Sequence, residues 1–144
     1  MVETADVLIE NFGPRTMERM GFGCEVLSKI NKKLIYCSLK GFLSGLYEKR
    51  HAMDEVVQMM GGLAYMTGPV KQPLRAGTSV IDITGGMFGV IGTLSAFYEC
   101  EITGKGKFVK SALFETTAFL MGQYMAVSAL TGVPVPLIPA RVSA

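Results

Sequence analysis

Two short apolar runs limit what this chain can fold into. Val7-Leu8-Ile9 stands between Asp6 and Glu10, and Leu34-Ile35-Tyr36-Cys37-Ser38-Leu39 stands between Lys33 and Gly41. Both are β-rich, bounded by polar or turn residues, and read as strands. Between them the pattern is helical. Asn11-Phe12-Gly13-Pro14 makes a turn, and Pro14 opens a short helix over Thr16 to Met20 that Gly21 and Gly23 stop. Cys24 to Lys32 then places Val26, Leu27 and Ile30 on one face. Strand, helices and strand form a βαβ unit, which commits the chain to an α/β fold with a parallel sheet.

The remainder extends that pattern. Phe42 to Lys49 reads as loop. Asp54 to Tyr65 reads as one buried helix carrying Val56, Val57, Met59, Met60 and Leu63, followed by a loop from Gly68 to about Gly77. A long helix is expected from Ile83 to Ile102, a turn at Thr103-Gly104-Lys105-Gly106, a strand over Phe108 to Ala112 and a last helix over Leu113 to Leu130. The tail from Gly132 begins proline-rich and offers no closing element. In the long helix, Gly85, Gly89, Gly92 and Ala96 fall on one nearly bare face. Each of these glycines costs about 1 kcal/mol of helix propensity, so close packing, read here as helix on helix, has to offset it.

Composition excludes several classes. At 144 residues the chain is the size of one domain, and 49% hydrophobic content with 18% charge excludes intrinsic disorder. The mean hydropathy is +0.36. A net charge of +2, from 14 basic and 12 acidic residues, points to neither nucleic acid nor a membrane surface as partner. The three cysteines form no CxxC or Cys/His cluster, so no metal site is expected, and they read as reduced buried thiols of a cytoplasmic protein. Thr116 to Ala140 is uncharged but contains Gly132, Pro134, Pro136 and Pro139; Ile83 to Tyr98 is uncharged but glycine-rich. Neither is expected to span a bilayer. The first residues, Met1-Val2-Glu3-Thr4-Ala5-Asp6, lack the basic start of a signal peptide.

Few residues carry an obvious chemical signal. Asp82 directly precedes the glycine-faced helix. Spacing alone favours a helix N-cap, its carboxylate accepting from the free N–H groups there. The same geometry also suits a carboxylate held ionised beside bare backbone, able to attack an activated carbonyl. Glu115 is a candidate second carboxylate, although a surface charge on a helix explains it as well. His51, the single histidine, sits in a loop, so no Ser/His/Asp or Cys/His set can be assembled. Gly86-x-x-Gly89-x-x-Gly92 is not the dinucleotide fingerprint, and Thr103-Gly104-Lys105-Gly106-Lys107 is not a P-loop.

Several motifs taken together resemble the family III CoA-transferases, the family that includes formyl-CoA transferase, carnitine CoA-transferase and α-methylacyl-CoA racemase. They are Ala5 to Pro14, Met17-Glu18-Arg19-Met20-Gly21, Asn31 to Phe42, Asp54-Glu55-Val56-Val57-Gln58, Gly61-Gly62-Leu63, Thr67-Gly68, Val80 to Gly86, Thr103 to Gly106 and Leu113-Phe114-Glu115. Their order along nearly the whole chain carries the resemblance. It implies a Rossmann-like parallel-sheet segment, with residues 1–144 forming part of the large domain. Members of this family are roughly three times as long, so a preceding CoA-binding segment and a following small domain would lie outside this sequence.

The resemblance also implies a chemistry. The family's nucleophilic aspartate falls on Asp82. It attacks an acyl-CoA thioester, passes through a mixed anhydride and an aspartyl-CoA thioester, and delivers CoA to a free carboxylic acid. Gly85 and Gly86 fall where a reacting group must come close, and Asp54 where an acidic or polar residue lies near the acyl group. Coenzyme A contacts fall on Asn11, Phe12 and Arg19 and on the loop residues Arg50, His51, Ala52 and Met53. Coenzyme A enters as substrate, with no permanent cofactor, and the family implies an interlocked homodimer. Met53 stands where the racemase branch has a histidine. Leu46 replaces a usual proline, and Lys107 and Lys110 replace residues more often Gln and acidic. An acyl-CoA isomerase using another acid/base pair, and a non-catalytic piece that associates through apolar surface, are the alternative readings.

Overall fold

A computed structural model describes residues 1–135. After a single 3-10 turn at Val2–Thr4, the order is β1 (Val7–Glu10), α1 (Thr16–Arg19), α2 (Cys24–Ile30), β2 (Ile35–Lys40), α3 (Asp54–Met60), α4 (Leu63–Thr67), α5 (Val80–Thr103), β3 (Phe108–Ala112) and α6 (Leu113–Thr131). The strands form one sheet in the order β1-β2-β3. Both pairings are parallel, with Val7 opposite Ile35 and Tyr36 opposite Phe108. The expected α/β class and parallel sheet are therefore present, and β3 has the expected bounds. The tail beyond residue 135, with Pro136 and Pro139, lies outside the described residues.

The sheet is covered on both faces, as a parallel sheet must be. On one face Met17, Leu27, Leu34 and Tyr36 form a buried cluster against which Leu8 packs. The opposite face of β2 and β3 receives α5. A Cβ built on Gly89 would stand 2.7 Å from Leu39 and one on Gly92 2.8 Å from Val109. At Gly89 and Gly92 the bare face is thus filled by the sheet, a correction to the helix-on-helix reading, which holds at Gly85, where a Cβ would stand 3.1 Å from Leu113 and 3.6 Å from Thr116 of α6. The strands advance in one direction across the sheet while their covering helices lie on opposite faces. The two crossovers therefore differ in hand, where the usual sense would put both helices on one side.

Two helices depart from expectation. Asp54 to Tyr65 is not one helix, because Gly62 takes φ 86° and breaks it into α3 and α4. A Cβ on the neighbouring Gly61 would lie 2.3 Å from Thr117 of α6, so the break occurs where two segments touch. The long helix begins at Val80 instead of Ile83, for a reason that belongs to the site.

By length and composition α5 is long and apolar enough to cross a membrane. Here its stripe of Ile81, Gly85, Gly89, Thr93, Ala96 and Cys100 is buried, while Met87, Val90, Ile91, Leu94, Tyr98 and Ile102 are exposed. All three cysteines are free; Cys37 and Cys100 are buried and Cys24 half-buried.

The turn from α5 into β3 is anchored to the loop before β2 by close backbone contacts. Gly106 N–H donates to Lys32 carbonyl at 2.7 Å, and a Cβ on Gly106 would lie 2.0 Å from the Leu34 carbonyl oxygen. Neither chain segment has a flexible end that can move aside. Gly106→Ala is expected to destabilise the fold by about 3 kcal/mol, the upper end of overpacking costs. Urea unfolding checks this, and an unchanged midpoint would contradict it.

Candidate active site

The carboxyl ends of all three strands and the amino end of α5 converge on one cleft of about 370 Å³. Parallel sheets place their ligand sites at that end, where the loops diverge. Residues 11–14 leave β1, residues 39–41 end β2, residues 111–113 join β3 to α6, and α5 contributes Asp82, Gly85 and Gly86; the loop residues Arg50, His51 and Ala52 complete the wall.

Asp82 is the only acidic side chain lining this cleft among the described residues. It is the third residue of α5, not its cap. The first N–H groups of a helix have no partner within it. Here Val80 N–H donates to Thr78 carbonyl and Ile83 N–H to Ser79 carbonyl. The two between them, on Ile81 and Asp82, donate to Asp54 Oδ2 at 2.8 and 3.0 Å. Asp54 is 3% exposed and stands on α3. This remote cap carries α5 back to Val80 and leaves the Asp82 carboxylate free for the cleft. Partial burial, then the carboxylates of Asp54 and Glu55, push the Asp82 carboxyl above the ordinary aspartate range.

Gly85 and Gly86 line the cleft as expected. They are the sixth and seventh residues of α5, where N–H groups serve the helix's own ladder. Gly86 provides approach, since nothing lies within 4 Å of a Cβ built on it, whereas the bare side of Gly85 is taken up by Leu113, 3.1 Å from a Cβ there.

The loop after β1 is held by a buried acid. Glu10, 6% exposed, accepts from Ser38 Oγ at 2.5 Å, from Lys40 Nζ at 2.8 Å and from Phe12 N–H at 2.9 Å. Lys40 Nζ also donates to the Phe12 carbonyl at 2.7 Å. Such a pair is tolerable in the interior because each charge has several partners. It fixes Asn11 and Phe12 at the mouth of the cleft, where the Phe12 ring is half exposed. On the other wall the Arg50 guanidinium lies 4.9 Å over the Tyr47 ring. A Cβ on Gly41 would lie 2.6 Å from that of Ala52, and one on Gly13 2.4 Å from the His51 ring. The two glycines let the loops close on each other.

Of the residues singled out in the sequence, Asn11, Phe12, Arg50, His51, Ala52, Asp82, Gly85 and Gly86 come together here. Arg19, Met53 and Asp54 do not line the cleft. Arg19 donates to Thr16 Oγ1 at 2.9 Å on the surface. Met53, 62% exposed, precedes α3 just beyond Ala52. Lys40, Gly41 and Ser111 line the cleft and were not anticipated. Glu115 does not face Asp82; its Oε1 accepts from Leu43 N–H at 3.1 Å. Among the described residues no group of three or more His, Cys, Asp or Glu side chains is placed to hold a metal ion.

Known proteins resemble this chain in sequence and in fold. A family model described as CoA-transferase family III matches residues 1–139. The chain is 45% identical over 138 residues to an acetyl-CoA:oxalate CoA-transferase of Acetobacter aceti, covering 93% of this chain and 36% of that protein. It is 39% identical over 119 residues to a succinyl-CoA–L-malate CoA-transferase beta subunit of Chloroflexus aurantiacus, covering 81% and 29%. A CAIB/BAIF family protein from Brucella suis superimposes with a TM-score of 0.89 at 35% identity, over 94% of this chain and 36% of that one. The chain thus spans about a third of the length of these relatives. It belongs to CoA-transferase family III.

Proposed function

We propose that this chain carries the nucleophile-bearing part of an enzyme that moves CoA from an acyl-CoA donor to a free carboxylic acid, with Asp82 as the nucleophile. One observation carries the reading: among the described residues Asp82 is the sole acid of the cleft, and the capping role open to it is filled by Asp54. The wall opposite supplies Lys40, Arg50 and His51, which suit the phosphates of CoA. Phe12 offers a ring face for the adenine.

The reaction balances as two exchanges. The Asp82 carboxylate adds to the thioester carbonyl, CoA leaves as thiolate, and a mixed anhydride remains. The thiolate then attacks the Asp82 carbonyl of that anhydride, releasing the donor acid and leaving an aspartyl-CoA thioester. The acceptor carboxylate repeats both steps in reverse, leaving as the new acyl-CoA and restoring Asp82. Covalent catalysis of this kind splits one difficult transfer into easier ones. The helix wall at Gly86 leaves room for the acyl carbon. The two relatives above are named for oxalate and L-malate, so small dicarboxylic acids are the first acceptors to try. The homodimer common in this family is part of the same proposal.

Asp82→Ala in the full-length protein is expected to lower exchange of labelled acid into acyl-CoA by ~10⁴-fold or more, the scale for loss of a nucleophile. Acyl-CoA alone should leave a CoA adduct on the wild-type peptide containing Asp82, detectable by mass, and none on the variant. Retained turnover in Asp82→Ala would overturn the assignment.

The raised Asp82 carboxyl sets a pH dependence. Only the ionised form attacks, so kcat/KM should fall as pH drops through a value above the ordinary aspartate range. Glu55→Gln removes one repelling charge and should move that limb to lower pH. The sign for stability is opposite. The folded protein holds the Asp82 proton more tightly than the unfolded chain does, so this group's contribution favours the fold at low pH and is lost as pH rises through the raised value. A limb that stays in place in Glu55→Gln would contradict this.

A further inference from the structure

We propose that Gln58 is a positioning residue for Asp82, acting through Asp54. The inference rests on the transfer reading above and adds a part to its site. Gln58 is 0% exposed and Asp54 3%, so neither serves as a surface group. They lie one turn apart on α3, the spacing at which helical side chains meet. The Gln58 amide N–H donates to Asp54 Oδ1. Its Oε1 accepts from Ala76 N–H at 2.8 Å. The other Asp54 oxygen accepts from Ile81 and Asp82 N–H. One continuous chain of hydrogen bonds therefore ties three points, Ala76, Ile81 and Asp82, to α3.

The polarity of this chain leaves no freedom. A flipped Gln58 amide would set oxygen against the Asp54 carboxylate and NH2 against the Ala76 N–H, so donor and acceptor would both be mismatched. Gln58 thus fixes the Asp54 rotamer. Asp54 in turn fixes the backbone at Asp82 and holds one negative charge near its carboxylate. The segment from Ala76 to Asp82 is the lead into α5, and both of its ends are held. A nucleophile needs this kind of orientation, because small misplacements are costly: about 1 Å is worth ~10²-fold in rate.

The test uses Gln58→Glu, Asp54→Asn and the two together, in the full-length protein. Gln58→Glu sets two carboxylates face to face, and Asp54→Asn sets two NH2 groups face to face. In the double variant the new asparagine donates to the new glutamate and still accepts from Ile81 and Asp82, while Ala76 N–H still finds an acceptor, so every bond returns and only the one between positions 54 and 58 is reversed. The net charge is that of the wild type, but the negative charge moves one turn away from Asp82. The groups that remain around the carboxylate are Glu55, Lys40, Arg50 and His51.

Each single variant should lose kcat by ~10²-fold with little change in KM for acyl-CoA. The double variant should regain most of that loss, and its acid limb should lie at lower pH than the wild type's. Thermal melting is followed alongside. Singles with wild-type kcat per folded molecule would overturn the proposal, as would a double variant that regains its melting temperature but not its kcat. If the singles do not fold, the double variant decides alone. Recovered kcat with a displaced acid limb supports the pair, and an unmoved limb overturns it. Asp82→Ala, run in parallel, separates the two readings. Turnover retained there overturns the transfer reading itself. Turnover lost there, with unaffected Gln58 variants, overturns only the positioning role.

Discussion

A helix that starts inside a protein brings N–H groups that nothing in the helix can satisfy. In this chain the problem falls at the start of α5, and a single carboxylate from another helix solves it. Asp54 reaches across 27 and 28 residues of sequence to accept from Ile81 and Asp82. Much else follows from that contact. It sets where α3 lies relative to α5, and α5 in turn lies on β2 and β3. It also releases Asp82 from a local duty that most aspartates at a helix start perform. The site's acid is available because a different acid holds the helix.

The two walls of the cleft are built on different principles. Around β1 and β2 a buried ion pair does the holding: Glu10 gathers Ser38, Lys40 and the Phe12 N–H into one cluster. Between the loops at Gly13, Gly41 and residues 50–52, contact is made by omitting side chains. The first gives rigidity through directed bonds, the second through close backbone approach. Positive groups collect on these walls while, among the described residues, the one negative group of the cleft stands on α5. That separation suits a ligand with an anionic body and an electrophilic end.

How much of this the sequence disclosed depends on range. β1, β2 and β3 were legible because short apolar runs between polar residues have a local cause, and the stop at Gly104 was legible for the same reason. The break between α3 and α4 had a signal in Gly61-Gly62, but helical periodicity on both sides overrode it. The cap was not legible. Local spacing assigns Asp82 to the start of its own helix, and nothing near residue 82 points to residue 54. The Asp54 and Gln58 spacing of four residues was a usable clue to a paired side-chain contact. Lys40 was hidden differently, since its partner Glu10 lies on another strand and only the parallel register brings them together. The resemblance to a family supplied the role proposed for Asp82, which spacing had left open between two readings.

The bare stripe on α5 bears on how this segment can change over time. The distance between helix and sheet is set jointly by Gly89 with Leu39 and by Gly92 with Val109. Volume added on one side of either pair has to be removed from the other, or the whole helix must lift and carry Asp82 out of the cleft with it. Residues far from the reacting atoms are therefore bound into compensating pairs. In related sequences a larger residue at the helix position should accompany a smaller one at its strand partner, a covariation whose cause is the placement of Asp82.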